Sequence, residues 1–554
     1  MMDQGQPWAF ACVGVLILIV VFRWNISPLN DIPTVGNFSS PALSYLSAMA
    51  FIRRGRETLQ EGYRLYYGSV FKIALLDRWM VIFSGPKMVE DIRRRPEDEL
   101  SFTEAVQTIL QYKYTVGQKM QDDPYHTVVV KEKLQNRLLP LILPSLIDEV
   151  APAVETYMPT INEEWTAVDI SAAALKIVAR TSNRVFVGSP LCEYGPKDSH
   201  GASGQNWMIV QLCFDVRLGC LMFTTPGYFT ELRPITGLSE DYNDTSAQFA
   251  VEIVKAGTAL FLFPDILKPL AAPFVSKVKQ TTKRALHHLR PIIQERRTAM
   301  HQQGKEWLDK PNDVLQWIID RAVVKDETDA DITQRLLLLN LAAIHTSSSS
   351  IPHVLYHLAE QPELLEPLRE EIEASVDAEG WTMSAYARMW KLDSILRESQ
   401  RYNGFTLASM MRVAMKDIVL DNGTFIPKGT LLGAAAHPAH HDNAHLPNAD
   451  LFDPFRFSRM REAGSSSGSS RLQFASTSPE YLPFGHGQLA CPGRYFAGNQ
   501  LKAILSHIIL NYDLKLSDSK DDGPRPQRPP NVYLSLAVLP PIGGTIQLRK
   551  RAAV

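Results

Sequence analysis

A mainly α-helical fold with small β-sheets is what this sequence predicts, and three observations carry the prediction. Of 554 residues, 45% are hydrophobic and 21% charged, the balance of a globular chain with material for a large core. From about Asp331 to Glu360 the pattern is that of a helix apolar nearly all round, with Leu336, Leu337, Leu338, Leu339 and Leu341, hence central and buried. Strand-like runs gather at Ser69–Ile82, Ile418–Leu432 and Tyr533–Arg549, each long enough for a strand pair.

The first element stands apart from this body. From Trp8 to Phe22 the chain is uncharged and almost wholly apolar, closing at Arg23-Trp24. The run is a little short of the ~20 residues that span a bilayer, a gap that snorkelling and local thinning can cover. It lacks the basic n-region and small-x-small cleavage site of a signal peptide, so residues 1–30 read as an uncleaved transmembrane anchor and the start of a linker. Arg23, Arg53, Arg54 and Arg56 on its C-terminal side place the remaining chain in the cytosol, leaving the sequons at Asn25 and Asn37 unglycosylated. Asp31-Ile32-Pro33-Thr34-Val35-Gly36 then forms a stiff, turn-rich hinge.

Charge and cysteines exclude two classes of function. A formal net charge of −2 lacks the basic field of a general nucleic-acid binder, so no nucleic acid is expected as partner. Five cysteines (Cys12, Cys192, Cys213, Cys220, Cys491), without C-x-x-C spacing, support neither a disulfide scaffold nor a zinc module. His437-Pro438-Ala439-His440-His441-Asp442 has metal-site composition, but Pro438 argues against one helical face. Gly464–Ser470 reads as a flexible surface linker.

Three motifs remain. Within the central helix, Ala342-Ala343-Ile344-His345-Thr346-Ser347-Ser348-Ser349-Ser350 sets small residues before hydroxyls, which compete for backbone bonds and fill a helix interior poorly. The stretch is either a helix-packing face or a functional groove. Pro352 removes an N–H and frees the carbonyl of Ser348, which predicts a kink just beyond. Glu398-Ser399-Gln400-Arg401 puts opposite charges on one helix face. Cys491 lies in Phe484-Gly485-His486-Gly487-Gln488-Leu489-Ala490-Cys491-Pro492-Gly493-Arg494-Tyr495-Phe496-Ala497, a glycine-rich loop running into an apolar helical pattern. A helix N-terminus stabilises a thiolate and glycines let the main chain approach a flat group, so Cys491 is either a soft metal ligand or a free buried thiol beside a turn.

Phenylalanine seven residues before the cysteine, glycine four before and glycine two after resembles the haem-binding loop of the cytochrome P-450 family. The run Cys-Pro-Gly-Arg-Tyr-Phe-Ala is similar to that of its fungal members. The resemblance covers about residues 31 to 550 and implies the cytochrome P-450 fold, a helical lobe plus a smaller β lobe, with 31–554 as a haem-thiolate catalytic domain. The cofactor implied is heme b, with Cys491 as iron ligand in a loop built by Phe484, Gly487 and Gly493. Ala342 and Ala343 would line a dioxygen groove and Thr346 would be the hydroxyl relay. His345, where many members carry Asp or Glu, would shuttle protons near neutral pH. Glu398, Arg401 and Arg456, the last in Phe452-Asp453-Pro454-Phe455-Arg456-Phe457, would form a buried structural triad. Arg412 would meet a haem propionate, and His126 with Lys131 a second one, although an ordinary helix-end histidine fits there equally. The chain departs from the family at Gln488-Leu489, where a basic residue is general, leaving one haem edge without a cation.

The same resemblance implies a monooxygenase that inserts one atom of O2 into an apolar substrate. Ala-Ile-His-Thr points to a fungal terpenoid or other secondary metabolite. Substrate contacts would come from Ser101–Tyr114, Phe405, Leu407, Ala408 and Leu536–Leu539. No dinucleotide fingerprint is present, so electrons would come from NADPH-cytochrome P-450 reductase, with cytochrome b5 as a further donor, at the endoplasmic reticulum membrane. Two other readings stay open: a haem-thiolate isomerase or peroxide-user, against which Thr346 speaks, and a degenerate binding protein poor in haem. Residues 193–239 do not follow the family pattern and read as an atypical insertion, either a membrane-facing loop or an intron carried into the coding sequence.

Overall fold

A computed structural model describes residues 28–36, 43–134, 139–161, 164–188, 238–261, 263–464, 469–517 and 526–552. The expected anchor, apart from residues 28–30, and the insertion at 193–239, apart from its last two residues, lie outside them. Among the described residues no helix is long and apolar enough to cross a membrane.

The N-terminal hinge is docked onto a sheet. Helix α1 (Ser44–Leu65) leads into strands β1 (Val70–Ala74) and β2 (Trp79–Phe83), paired antiparallel from Val70 opposite Phe83 to Ala74 opposite Trp79. Every residue of both strands is buried, as in a sheet covered on both faces. Val35 donates its N–H to the Lys72 carbonyl at 3.0 Å and Lys72 returns one to Pro33 at 2.8 Å, so the hinge extends this sheet. The sheet order is β1-β2-β8-β5-β3, formed with β3 (Leu100–Ser101), β5 (Ser409–Ala414) and β8 (Leu431–Ala434). Helix α2 (Pro86–Arg94) follows β2, its first turn opened by proline.

The expected strand pair at 418–432 divides between two sheets. β6 (Ile418–Val419) and β7 (Phe425–Ile426) make a short hairpin around Gly423, whose φ of +85° suits glycine. β8, buried throughout, instead joins β2 in parallel. The C-terminal run divides likewise. β10 (Val532–Leu534) and β11 (Ala537–Leu539) form a hairpin, while β12 (Thr545–Lys550) lies between β4 (Thr166–Asp169) and β9 (Tyr512–Leu516).

Helices make up the rest: α3 (Ile170–Phe186), α4 (Leu238–Leu260), α5 (Lys268–Val275), α6 (Val278–Gln303), α7 (Asp329–Glu360), α8 (Trp390–Tyr402) and α9 (Arg494–Asn511) among them. The central helix α7 begins at a capping box, Thr328 Oγ1 accepting from the Asp331 N–H at 3.2 Å and Asp331 Oδ2 from the Thr328 N–H at 3.0 Å. It packs against α3, α4, α6, α8 and α9, which is why its leucine run is apolar all round. It stops where Gln361 precedes Pro362. Pro352 does not interrupt it: the helix continues to Glu360 with Pro352 itself buried. The freed Ser348 carbonyl therefore removes one rung and not the helix.

Helix α1 is tied to the C-terminal hairpin by main chain. At Arg54 (φ −119°, ψ 25°) its helical geometry lapses, and the Ile52 carbonyl accepts from the Ser535 N–H at 2.7 Å. Gly55 makes this approach possible, since a Cβ there would stand 2.1 Å from the Ser535 carbonyl oxygen. Gly55→Ala is expected to cost about 1–3 kcal/mol by overpacking against a backbone that cannot rotate away. The check is the denaturant midpoint, and a midpoint equal to the parent's would show that the turn yields freely.

Candidate functional site

The loop before α9 is folded by its own main chain. Gly485 donates to Leu482 at 3.0 Å, Ala490 to Gly487 at 3.1 Å, and Cys491 to Phe484 at 2.8 Å, closing the ring of residues that the sequence singled out. Gly485 and Gly487 both hold positive φ, +67° and +80°. Phe484 stands edge-on to Phe474, ring centres 5.2 Å apart. Cys491 precedes the helix cap Gly493 by two residues, and its sulfur is hydrogen-bonded by the backbone N–H groups of Gly493 and Arg494. Burial pushes the thiol pKa up against the pull of those donors and of the Arg494 charge. Cys491 nevertheless keeps free surface. Neighbouring atoms thus desolvate the sulfur while part of the residue stays accessible. A metal cation there would reverse the sign, since a coordinated thiol gives up its proton.

Helix α7 contributes an open face of the same kind. Ala342 is exposed and Ala343, Thr346 and Ser350 are half-buried, although Leu341, Ile344, His345, Ser347, Ser348 and Ser349 around them are buried. Residues three and four apart share a face, so these four form one stripe. Ser347–Ser349 therefore pack inward, as the helix-packing reading expects, and the stripe remains open. Thr346 Oγ1 donates to the Ala342 carbonyl at 3.0 Å, and Ser350 Oγ reaches the Thr346 carbonyl and Gln400 Oε1, each at 3.2 Å. His345 is turned off the stripe, bonded to the backbone of Ala247 on α4, with no hydrogen-bond partner for Nε2 among the described residues. Burial lowers its pKa to about 4, below the neutral range in which a proton shuttle was expected.

The two expected propionate contacts differ in charge. Arg412 on β5 is 2% exposed; its Nη1 donates to the Met411 carbonyl at 2.7 Å, while Nε has no hydrogen-bond partner among the described residues. Burial lowers its pKa to about 10, opposed by Glu97, so it remains a cation with a donor to spare. His126 is buried beside Arg335, whose Nη1 is 3.4 Å from its Nδ1, and burial with that charge lowers its pKa to about 3. It can donate a neutral hydrogen bond but brings no positive charge at neutral pH. A thiol with free surface, an open small-residue helix face and a buried guanidinium with an unused donor are the kinds of group that would suit a flat apolar cofactor with an anionic edge.

The triad residues are brought together. Glu398 accepts from Arg401 Nε and Nη2, each at 2.8 Å, from Arg456 Nε at 3.3 Å and from the Asp453 N–H at 2.9 Å. Arg401 also binds the carbonyls of His440 and Ala449, and Arg456 those of Pro447, Asn448 and Leu451. Phe405 and Leu407 are laced to the β10–β11 hairpin, Leu407 donating to Leu536 at 2.7 Å and Val538 to Phe405 at 3.1 Å. Sequence reasoning passed over Gln400, inside the Glu398–Arg401 motif, because only its charged ends carried a signal. Glu398→Ala should leave two guanidinium groups buried without their carboxylate and destabilise the protein by about 3–5 kcal/mol. Soluble yield and the unfolding midpoint read this out, and near-parental stability would mean that carbonyls alone satisfy both arginines.

Comparison with known proteins agrees with this arrangement. Residues 40–545 match the family model for Cytochrome P450. A cytochrome P450 monooxygenase of Ganoderma lucidum, CYP512U6, is 44% identical over 551 residues, covering 100% of this chain and 98% of that protein. Cytochrome P450 monooxygenase 151 of Postia placenta is 38% identical over 99% of this chain and 100% of its own length. Ent-kaurene oxidase P450-4 of Gibberella fujikuroi is 28% identical over 96% of this chain and 95% of its own. With its motifs in the family order, a family match over nearly its whole length and relatives that are oxygen-incorporating oxidoreductases, the chain belongs to the cytochrome P450 family.

Proposed function

We propose that this chain hydroxylates an apolar terpenoid or related fungal secondary metabolite, with Cys491 as the iron ligand. Proteins of the family bind heme b through an axial cysteine thiolate. The observation that carries the assignment is a thiol with free surface that receives two main-chain N–H groups at the mouth of α9. When bound, the haem supplies dioxygen activation, with the thiolate's electron push favouring O–O cleavage.

The chain's own residues do the rest. Arg412 offers its free Nε to a propionate, and Leu489 leaves that role unfilled on the loop side. Ala342 and Ala343 keep the α7 face low enough for small ligands. Thr346 moves a proton: its hydroxyl donates within the helix to Ala342 and can be redirected toward a ligand over the stripe. This hydroxyl favours the monooxygenase over an isomerase or peroxide-user. His345, neutral and bonded to α4, supports Thr346 by packing rather than by charge. Leu407, Ala408, Leu536 and Val538, all buried, suit an apolar substrate, and the likeness to an ent-kaurene oxidase favours a diterpene.

NADPH-cytochrome P-450 reductase is the electron donor in this reading, with cytochrome b5 as a second source. The setting is the endoplasmic reticulum membrane, supported by the apolar run from Trp8 to Phe22 and by a ridge at α5. There Ile266, Leu270 and Phe274 are 84%, 70% and 91% exposed, and the adjacent Asp265 is neutralised by Lys268 at 2.6 Å.

The reduced carbon monoxide spectrum tests the ligand: the red-shifted thiolate band is expected in the parent and lost in Cys491→Ala. A well-folded parent without the band would leave a haem-poor binding protein instead. With reductase and a diterpene, Thr346→Ala should divert electrons to hydrogen peroxide and lower product per NADPH about tenfold or more. Unchanged coupling would remove Thr346 from the relay. For the membrane reading, serine at Ile266, Leu270 and Phe274 should raise the fraction released by alkaline carbonate, and no change would discount the ridge.

A further inference from the structure

The outer side of the Cys491 loop is fastened by residues to which neither the family motifs nor the reaction assigns a part. His486 is the one side chain between Gly485 and Gly487, the two positive-φ glycines. Its Nε2 lies 3.2 Å from Glu90 Oε1 on α2, and its Nδ1 3.0 Å from Thr477 Oγ1. Glu90 is held in turn by Arg93, whose Nε donates to Oε2 at 2.7 Å. Arg93 lays its alkyl chain over the loop so closely that a Cβ on Gly487 would come within 2.3 Å of it. Burial lowers the His486 pKa against the pull of Glu90, so the neutral ring donates from Nε2 to the carboxylate and accepts from Thr477 at Nδ1. One imidazole thus ties three segments together: α2, the stretch at Thr477 and the ligand loop.

We propose that Glu90 and His486 are positioning residues for the Cys491 sulfur, bracing from outside a loop that its own glycines leave pliable. The inference rests on Cys491 as the iron ligand. Two left-handed glycines give the loop little stiffness of its own. Leu489, where a basic residue would grip the haem edge, removes an anchor on the inner side, and the brace on the outer side takes over that work. The loop shape it holds is the one that aims the Gly493 and Arg494 N–H groups at the sulfur.

The test uses the full chain carrying haem, reduced and treated with carbon monoxide, and follows the thiolate band as it converts to the blue-shifted thiol form. Glu90→Ala and His486→Ala should each convert about fivefold faster, the factor expected of a half-exposed charge-assisted hydrogen bond. The double variant should be no faster than the faster single, because both delete one contact. His486→Gln, whose amide can both donate and accept, should restore most of the parental rate. Parental rates in the singles, or a double effect equal to the product of the singles, would overturn the brace. A second readout is independent of haem: alkylation of Cys491 by iodoacetamide in the haem-free protein, measured by peptide mass spectrometry. It should also accelerate about fivefold in either single. Should the parent show no thiolate band, the ligand assignment falls on its own, and equal alkylation rates would overturn the brace separately.

Discussion

The irregular stretch between α8 and the Cys491 loop depends on how one buried carboxylate is satisfied. Glu398 is fully buried, and its two oxygens take four donors from Arg401, Arg456 and the main chain of Asp453. Each arginine then spends its remaining N–H groups on carbonyls between His440 and Leu451. An irregular stretch with no ladder of its own is held to α8 by charge-assisted bonds in place of a sheet. Neighbouring Arg397, stacked 3.7 Å over the Tyr481 ring and bonded to the Gln473 carbonyl, extends the same device to the segment that runs into Phe484. Without Glu398 these arginines would repel one another in a dry interior, and residues 440–451 would lose their attachment to α8.

Histidines follow the opposite rule. His126, His345 and His357 are all buried and held well below their usual pKa, chiefly by desolvation. His357 lies flat on Phe452 at 3.5 Å and accepts from Arg528 Nη1 at 2.7 Å. Around Glu398 the fold places its interior cations on arginine, which holds its proton, and it uses these imidazoles as neutral polar spacers. This is why two positions that the sequence marked as charge carriers, His126 and His345, turn out to be uncharged at neutral pH.

What was legible in the sequence had a period or a rigid spacing. The leucine run of α7 and its stop at Pro362 could be read almost to the residue, since apolarity on every side has one explanation and proline has a fixed effect. The triad was legible only in part from spacing, which puts Glu398 and Arg401 on one helix face; Arg456 came from the family resemblance. Strand partners were not: β8 leaves its neighbour to pair with β2 more than three hundred residues earlier, a choice made by two-sided burial that no local pattern encodes. Pro352 costs the helix one bond without ending it, a loss tolerated where the helix is packed all round. Side-chain direction was also hidden. His345 and Thr346 are adjacent in sequence, yet one faces α4 and the other the open stripe.

The lacing of α1, the Phe405–Leu407 strap and the β10–β11 hairpin decides how this part of the chain can vary. Its joints are main-chain bonds, from Ser535 to Ile52, from Leu407 to Leu536 and from Val538 to Phe405. Leu407, Leu536 and Val538 add buried side chains to one apolar cluster at these joints, and Thr406 Oγ1 adds a donor to the Leu536 carbonyl. Exchanging residues 536–539 for larger or smaller apolar ones would leave the main-chain joints in place but would disturb that cluster. Backbone position is in this way set apart from side-chain packing, so variation here is limited by volume and not by hydrogen bonding.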